Sequence, residues 1–300
     1  MRKRSKKSLL LALLLVGVST ICLAILAFFL IAERQKTATL QKKLNALDNI
    51  VAPYYEKNAF EVPSQLVHTP NEKTTKIPII MYHYVEYVKD AGDLIRKRLD
   101  IVPSQFEAQL VELRKAHYET YFVKDVPDIL NGTVHYSTQS AILSFDDGYE
   151  DFYTDVFPLL KKYHMRATLY VIYDYIGRNG FLNEKQIQEL IDSDLVEIGS
   201  HTLDHIYLKV APKDYADKQI IESKNKLEER FGIKVKTFAY PYGAFNNDNI
   251  ESVKRAGYTA AVSVISGEIQ SKDNIFYMSR IRPGLFTPQT MIQFIERMNK

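Results

Sequence analysis

Residues 140–148 read SAILSFDDG, a largely apolar run that ends in two adjacent carboxylates and a glycine. A short apolar run with little polar alternation predicts a strand that is buried on both faces, as in parallel sheets. Phe152, Val156 and Leu159 follow at helical spacing, which disfavours a tight hairpin after the Asp-Gly pair. This stretch therefore predicts a strand, a turn that carries Asp146 and Asp147, and a helix.

Seven other short apolar runs alternate with amphipathic helical stretches in the rest of the chain. They are residues 77–82, 120–123, 167–172, 196–200, 237–240, 258–264 and 277–281. Such alternation is typical of βα units that build a parallel sheet. Seven or eight units predict an α/β fold, a deformed (β/α) barrel of parallel strands, with an open doubly wound sheet as the alternative.

Residues capable of chemistry cluster where the predicted strands end. In a barrel the carboxyl ends of parallel strands meet at one face, which is where active sites form. Asp146 and Asp147 end one predicted strand, and His201 ends another, with His205 four residues later. Four-residue spacing on a helical turn places both imidazoles on one face. One carboxylate, Asp147, and two imidazoles suit zinc or a similar divalent ion. The early strand ends in His83.

The N-terminal segment predicts a membrane anchor. Residues 1–8 include five positive charges, and residues 9–32 are 24 residues without a charged side chain, enough to span a bilayer as a helix. The positive flank is expected in the cytoplasm, so the chain would be a single-pass cell-membrane protein with its catalytic domain extracytoplasmic. A cleaved signal peptide is the alternative, but its apolar region is usually shorter. Residues 33–76 read as a stalk and residues 77–300 as the catalytic domain.

Charge and cysteine content disfavour nucleic-acid binding and cysteine chemistry in the exported part. The whole chain has a net charge of +3, which includes the five N-terminal positive charges, so the remainder is slightly acidic and a nucleic-acid partner is disfavoured. Cys22 is the only cysteine, and it lies in the predicted anchor, so neither a disulfide nor a cysteine nucleophile is expected in the domain.

These motifs resemble the polysaccharide deacetylases of the NodB-homology type, carbohydrate esterase family four. The resemblance rests on Ser144 to Gly148, which match [ST]-F-D-D-G, and on His201 to His205, which match H-[ST]-x-x-x-H. It implies that Asp146 is the catalytic base and that Asp147, His201 and His205 bind a divalent metal, for which zinc is expected and other divalent ions stay open. It also implies that the protein removes N-acetyl groups from N-acetylglucosamine units of a cell-wall or extracellular polysaccharide, releasing acetate. Tyr82-His83 resembles the early strand of the poly-N-acetylglucosamine branch.

The third family motif departs from the usual pattern. F-R-x-P-Y-G aligns with residues 238–243, so Ala239 stands where the arginine that supports the base is usual. The resemblance still assigns substrate or oxyanion contacts to Tyr240, Pro241 and Tyr242, with the Tyr242 N–H at the oxyanion. The chain also has no tryptophan and lacks the late histidine motif of the general acid.

Other residues are candidates for the missing roles. His83 could serve in catalysis from the first strand, and it could equally only pack there. Arg280 or Arg282 could orient groups from the last strand, although ion pairing at the surface or behind the site residues is the favoured interpretation of both.

Two other functions stay open. The missing motif residues fit a membrane-displayed glycan-binding protein with a degenerate deacetylase site, but binding alone would not require Asp146. A glycosidase that pairs Asp146 with a second acid is the third reading, and it gives no role to His201 and His205.

Overall fold

The computed structural model of the chain describes residues 74–90, 92–137, 139–283 and 287–297. The predicted basic flank (1–8), membrane anchor (9–32) and nearly all of the stalk (33–76) lie outside the described residues. Within the described part of the chain, every helix is too short or too polar to span a bilayer. The division into flank, anchor, stalk and catalytic domain stays a prediction.

Short strands and helices alternate along the described chain. The strands are β1 (Thr75–Lys76), β2 (Ile79–Tyr82), β3 (Glu119–Tyr121), β4 (Ser140–Phe145), β5 (Ala167–Val171), β6 (Val196–Ser200), β7 (Thr237–Ala239), β8 (Ala260–Ser266), β9 (Ile269–Gln270) and β10 (Met278–Arg280). The α-helices are α1 (Leu94–Leu99), α2 (Pro103–Lys115), α3 (Val126–Asn131), α4 (Phe157–Tyr163), α5 (Glu184–Asp192), α6 (Lys213–Phe231), α7 (Asn247–Arg255) and α8 (Pro288–Arg297). A π-helical turn, Phe152–Val156, precedes α4.

The strands form one parallel sheet that closes on itself. Seven strands follow the order β2-β4-β5-β6-β7-β8-β10, and β3 pairs with β4 as an eighth. Ile281, directly after β10, forms a parallel bridge with Ile80 of β2. Met81 N donates to Ile281 O (2.8 Å), and Ile281 N donates to Ile79 O (2.7 Å). These bonds join the two ends of the sheet, which confirms the predicted deformed barrel in place of an open sheet.

Alternation along the strands separates an interior layer from a layer under the helices. In β4 all six residues are buried. Ile142 packs in the smaller apolar cluster with Ile79 and Val262, whereas Leu143 and Phe145 pack in the larger cluster that includes the helices. Because successive side chains in a strand point to opposite sides, Ser144 shares the interior side with Ile142. The same alternation carries the next even-numbered residue, Asp146, toward the interior at the carboxyl end.

The sequence did not predict the small antiparallel pair of β1 and β9. Thr75 pairs with Gln270, and Lys76 pairs with Ile269. Each strand has two residues, too few for an alternating pattern to be recognisable in the sequence.

Candidate active site

The turn after β4 directs the two neighbouring carboxylates, Asp146 and Asp147, toward different partners. Asp146 N donates to Tyr82 O (3.0 Å), which continues the pairing of β4 with β2. Asp147 (φ 76°) and Gly148 (φ 76°) then adopt the left-handed conformation. Aspartate visits this region more readily than most residues with a Cβ. As a result, Asp146 and Asp147 face different groups, Arg280 in the first case and two histidines in the second.

The histidine turn after β6 is tied down by side chains of its own and of α6. His201 N donates to Val171 O (3.0 Å). Thr202 Oγ1 accepts from His205 N (3.0 Å), and Gln219 Oε1 accepts from Leu203 N (3.0 Å). Thr202 (φ 68°) and His205 (φ 62°) are left-handed, so the turn is not a piece of α-helix. The two imidazole centroids are nevertheless 4.9 Å apart.

Asp147, His201 and His205 form a three-residue cluster with the chemistry of a metal site. One ligand atom from each lies within 4.8 Å of the others. Asp147 Oδ1 is 3.3 Å from His201 Nε2 and 3.2 Å from His205 Nε2, yet this buried oxygen has no partner in hydrogen-bond geometry. His201 Nδ1 lies 2.7 Å from the carbonyl oxygen of Ala239, which can only accept, so Nδ1 carries the proton and Nε2 is left for a metal. These residues fit a divalent ion.

The protonation of this cluster favours a bound cation. Burial raises the pKa of Asp147, but the contacts with His201 and His205 outweigh this and hold the pKa well below the usual range. Burial lowers the pKa of His201, and Asp147 and Asp146 more than offset it, so the pKa is raised. Asp147 is thus an anion held by a histidine that binds a proton readily, and a metal ion would take the place of that proton.

Arg280 holds Asp146 in a buried, bidentate ion pair. Its Nη1 donates to Asp146 Oδ1 (2.8 Å) and its Nη2 to Asp146 Oδ2 (2.7 Å). Nε donates to Ser263 O (2.7 Å), and Nη1 also reaches Ser144 Oγ (3.3 Å). Only 1% of Arg280 and 3% of Asp146 is exposed. Burial raises the pKa of Asp146, but the charge and hydrogen bonds of Arg280 overcome this and hold the pKa below its usual value.

Arg280 forms an ion pair, and its partner is the candidate base itself, so ion pairing and the orienting of a site group are one contact here. Arg282 is exposed. Ala239, at the position of the family's usual arginine, is fully buried and its carbonyl serves His201.

His83 lies at the edge of the same site. Its Nε2 is 3.9 Å from Asp146 Oδ2, beyond hydrogen-bond distance, and its side chain is 18% exposed. Burial lowers the pKa of His83, and the carboxylates Asp146 and Asp147 oppose that effect only in part. The structure therefore places a partly exposed imidazole beside the candidate base.

The segment from Tyr240 to Gly243 contacts the histidine turn through Tyr242, and its residues differ in exposure. Tyr242 (φ 59°) is 44% exposed, with its ring centroid 4.4 Å from that of His205. Gly243 (φ 66°) packs so closely that a Cβ would lie 2.1 Å from Val264 Cγ2. The ring of Tyr240 is buried and its hydroxyl donates to Phe276 O (2.9 Å), so this ring does not face a substrate. Pro241 is also buried.

A second aromatic group, which the sequence did not single out, borders the cluster. The rings of Tyr84 and Tyr149 stack with centroids 3.8 Å apart. Phe181 packs against Tyr149 at 5.0 Å. Tyr149 directly follows the strand-end motif, and this position was the available sequence signal that it lies near the site. No sequence pattern linked Tyr84 to Tyr149.

Comparisons with known proteins agree with this geometry. A family model described as polysaccharide deacetylase matches residues 134–261. The chain is 29% identical over 236 residues to Bacillus subtilis YxkH, a candidate polysaccharide deacetylase by name, over 77% of this chain and 81% of that protein. It is 29% identical to a poly-beta-1,6-N-acetyl-D-glucosamine N-deacetylase of Staphylococcus aureus, over 62% of this chain and 68% of that protein.

A solved structure extends the likeness to the fold. The deacetylase PplD of Streptococcus pyogenes, determined with acetate, superposes with a TM-score of 0.69 at 28% identity. The match covers 74% of this chain and 99% of that one.

Proposed function

The chain carries a polysaccharide deacetylase domain, and from this premise we propose that it is a metal-dependent hydrolase that removes N-acetyl groups from N-acetylglucosamine units of a polysaccharide and releases acetate. The observation that carries the proposal is an ionised carboxylate, Asp146, held beside the cluster of Asp147, His201 and His205. This arrangement provides a general base next to a site for a Lewis acid.

Asp147, His201 and His205 would hold the divalent ion, for which we propose zinc. Such an ion polarises a carbonyl group and lowers the pKa of water toward about 7. A carboxylate and two imidazoles leave positions open for water and substrate. The Ala239 carbonyl fixes the His201 ring so that Nε2 faces the site.

Asp146 would act as the base that accepts the proton of the attacking water. A base must be ionised at the working pH, and Arg280 secures this by lowering the pKa of Asp146. The bidentate contact also fixes the carboxylate in one orientation. Arg280 is thus a positioning residue that acts through Asp146. It takes the role of the base-supporting arginine that is usual at the position of Ala239.

The remaining steps need an oxyanion donor and an acid. We assign the backbone N–H of Tyr242 to the developing oxyanion, where one such donor typically contributes about 2.7–4 kcal/mol. His83 would protonate the departing amine, since it is partly exposed and lies near Asp146. The products are acetate and a glucosamine unit that gains a positive charge.

The cellular setting is part of the proposal. The uncharged stretch 9–32 after a basic flank supports a single-pass membrane anchor with the catalytic domain outside the cell. A cell-wall or extracellular polysaccharide would then be the accessible substrate.

The test is acetate release from β-linked N-acetylglucosamine oligomers by the full chain in detergent, with Asp146→Asn as the matched control. We expect steady acetate release by the wild type and a loss of at least about 100-fold in the variant, the range for removal of a general base. Equal background from both proteins would support the glycan-binding alternative and refute the enzyme.

A further inference from the structure

An acidic pocket of about 380 Å³ is lined in part by Glu150 and Asp151, which follow the Asp146-Asp147 turn in the chain. Its volume falls within the usual range of small-molecule sites, about 300–1,000 Å³. Four carboxylates and two basic side chains contribute to its wall: Glu86, Glu150, Asp151, Asp155, Lys89 and Arg96. The pocket therefore has an excess of negative charge, none of which takes part in the proposed reaction.

Asp151 is the unusual member of this wall. It is only 8% exposed, its Oδ2 accepts a hydrogen bond from Val85 N, and its Oδ1 is buried without a partner. Burial raises the pKa of Asp151 to about 7, which the Val85 hydrogen bond only partly opposes. A buried carboxylate oxygen without a donor is costly, so the wall lacks a cation or donor at this point.

The basic side chains of the pocket do not supply it. Arg96 Nε pairs with Glu86, and its guanidinium also lies 4.4 Å from the ring centroid of Tyr84. Lys89 is exposed at the rim. Within the described ranges, the hydrogen-bond donors to Glu150 and Asp155 are neutral: Gln186 Nε2 donates to Glu150 (3.4 Å), and Thr154 Oγ1 donates to Asp155 (2.6 Å).

The pocket does not have the geometry of a second metal site. Among the described residues, only Asp147, His201 and His205 bring three candidate ligand atoms within 4.8 Å of one another. The carboxylates of the pocket are spread more widely, which suits a larger organic cation with several N–H donors.

The pocket and the metal cluster are joined by a short stretch of chain. Glu150 follows Asp147 by three residues, so their Cα atoms are at most about 11 Å apart. Tyr84 stacks on Tyr149, which lies between Asp147 and Glu150 in the chain, so this aromatic pair adjoins both the metal cluster and the pocket.

We propose that this pocket is a subsite for the ammonium group of a glucosamine unit that has already lost its acetyl group, next to the unit that reacts. The inference rests on the proposed function, because deacetylation itself creates this ammonium group. Carboxylates recognise it through charge-assisted hydrogen bonds, and the half-buried Tyr149 lies in the chain between the metal cluster and the pocket. A partly deacetylated chain would then bind better than a fully acetylated one, so each turnover would favour a second on the same chain.

The experiment measures binding apart from turnover. Calorimetry compares a glucosamine trimer with an N-acetylglucosamine trimer, using the full chain and the double variant Glu150→Gln/Asp155→Asn. These two side chains lie at the pocket surface, so their replacement is less disruptive than replacement of buried Asp151. Glu222→Gln, a change in an exposed i,i+4 pair on α6, is the matched control.

We expect the glucosamine trimer to bind the wild type and the control about tenfold more tightly than the double variant, since a single charge-assisted hydrogen bond contributes at least this much. Binding of the acetylated trimer should not differ between the three proteins. Equal binding of the glucosamine trimer to all three proteins would overturn the proposal. Calcium binding that the double variant abolishes, without glucosamine binding, would overturn it as well.

Acetate release by the same preparations keeps the two claims separate. Equal binding of the glucosamine trimer to all three proteins, with acetate release by the wild type intact, refutes only the subsite. Weaker binding by the double variant, without acetate release by the wild type, refutes only the proposed reaction.

Discussion

Replacement of Arg280 by methionine separates its support of Asp146 from ordinary packing. The change removes two charge-assisted hydrogen bonds to Asp146, of 2.8 and 2.7 Å, and leaves a carboxylate that is 3% exposed without its partner. Breaking a buried pair from one side costs about 3–5 kcal/mol. We therefore expect Arg280→Met to lower the free energy of unfolding by about that amount at neutral pH.

The same substitution changes how stability and catalysis depend on pH. The folded-state pKa of Asp146 is depressed, so the ion pair stabilises the protein above the carboxyl's unfolded pKa, and this stability is lost as the pH falls through the folded pKa. Without Arg280 the pKa of Asp146 rises, since burial remains. The acidic limb of the kcat/KM profile should therefore move to higher pH at saturating metal.

The assays are urea unfolding and acetate release across the pH range. Arg280→Lys should recover part of the lost stability and reverse part of the shift of the acidic limb, because lysine keeps the positive charge but not the bidentate guanidinium. Arg230→Met, which removes an exposed pair with Glu184 at 2.8 Å, is the control and should cost about 0–1 kcal/mol. A variant that loses stability while the acidic limb stays in place would refute the role of Arg280 in setting the pKa of the base.

Three other perturbations test separate parts of the site. Metal affinity should fall as the pH falls, because a proton on His201, whose pKa is raised, competes with the ion; calorimetric titration with zinc at several pH values checks this, and a pH-independent affinity would contradict it. His83→Gln should lower kcat on the acetamide by about 100-fold or more, but much less on an acetate ester with an activated leaving group, and equal losses on both would remove His83 as the acid. Gly243→Ala, which would bring a Cβ to 2.1 Å from Val264 Cγ2, should destabilise the fold by about 1–3 kcal/mol and lower kcat through Tyr242; thermal unfolding indistinguishable from wild type would show that the segment yields freely.

The barrel could be predicted because its strands are continuous apolar runs. Strands β4 and β6 have the bounds that their sequences indicated, and every residue in both is buried. Placing polar residues at the ends of such strands was enough to bring Asp147, His201 and His205 together. The strands and the three-residue cluster therefore follow from local sequence pattern and the geometry of parallel strands.

The Arg280 pair could not be predicted in the same way. Arg280 and Asp146 are 134 positions apart, and they meet only because Ile281 pairs with β2 and closes the sheet. An arginine inside an apolar run was the available signal, since a buried guanidinium requires a carboxylate. The orientation of the Tyr240 side chain was predicted wrongly, because the three-residue strand β7 is too short for its sequence to show which side chains face the barrel interior.

Zinc titration of the chelator-treated full chain, with acetate release from an N-acetylglucosamine oligomer as the readout, tests whether the reaction depends on a metal at this site. Activity should rise linearly and saturate at about one ion per chain, as for a single three-ligand site. Asp146→Asn should bind the ion and release no acetate above background. Acetate release that is independent of metal, or that persists in Asp146→Asn, would contradict a metal-dependent deacetylase with Asp146 as its base.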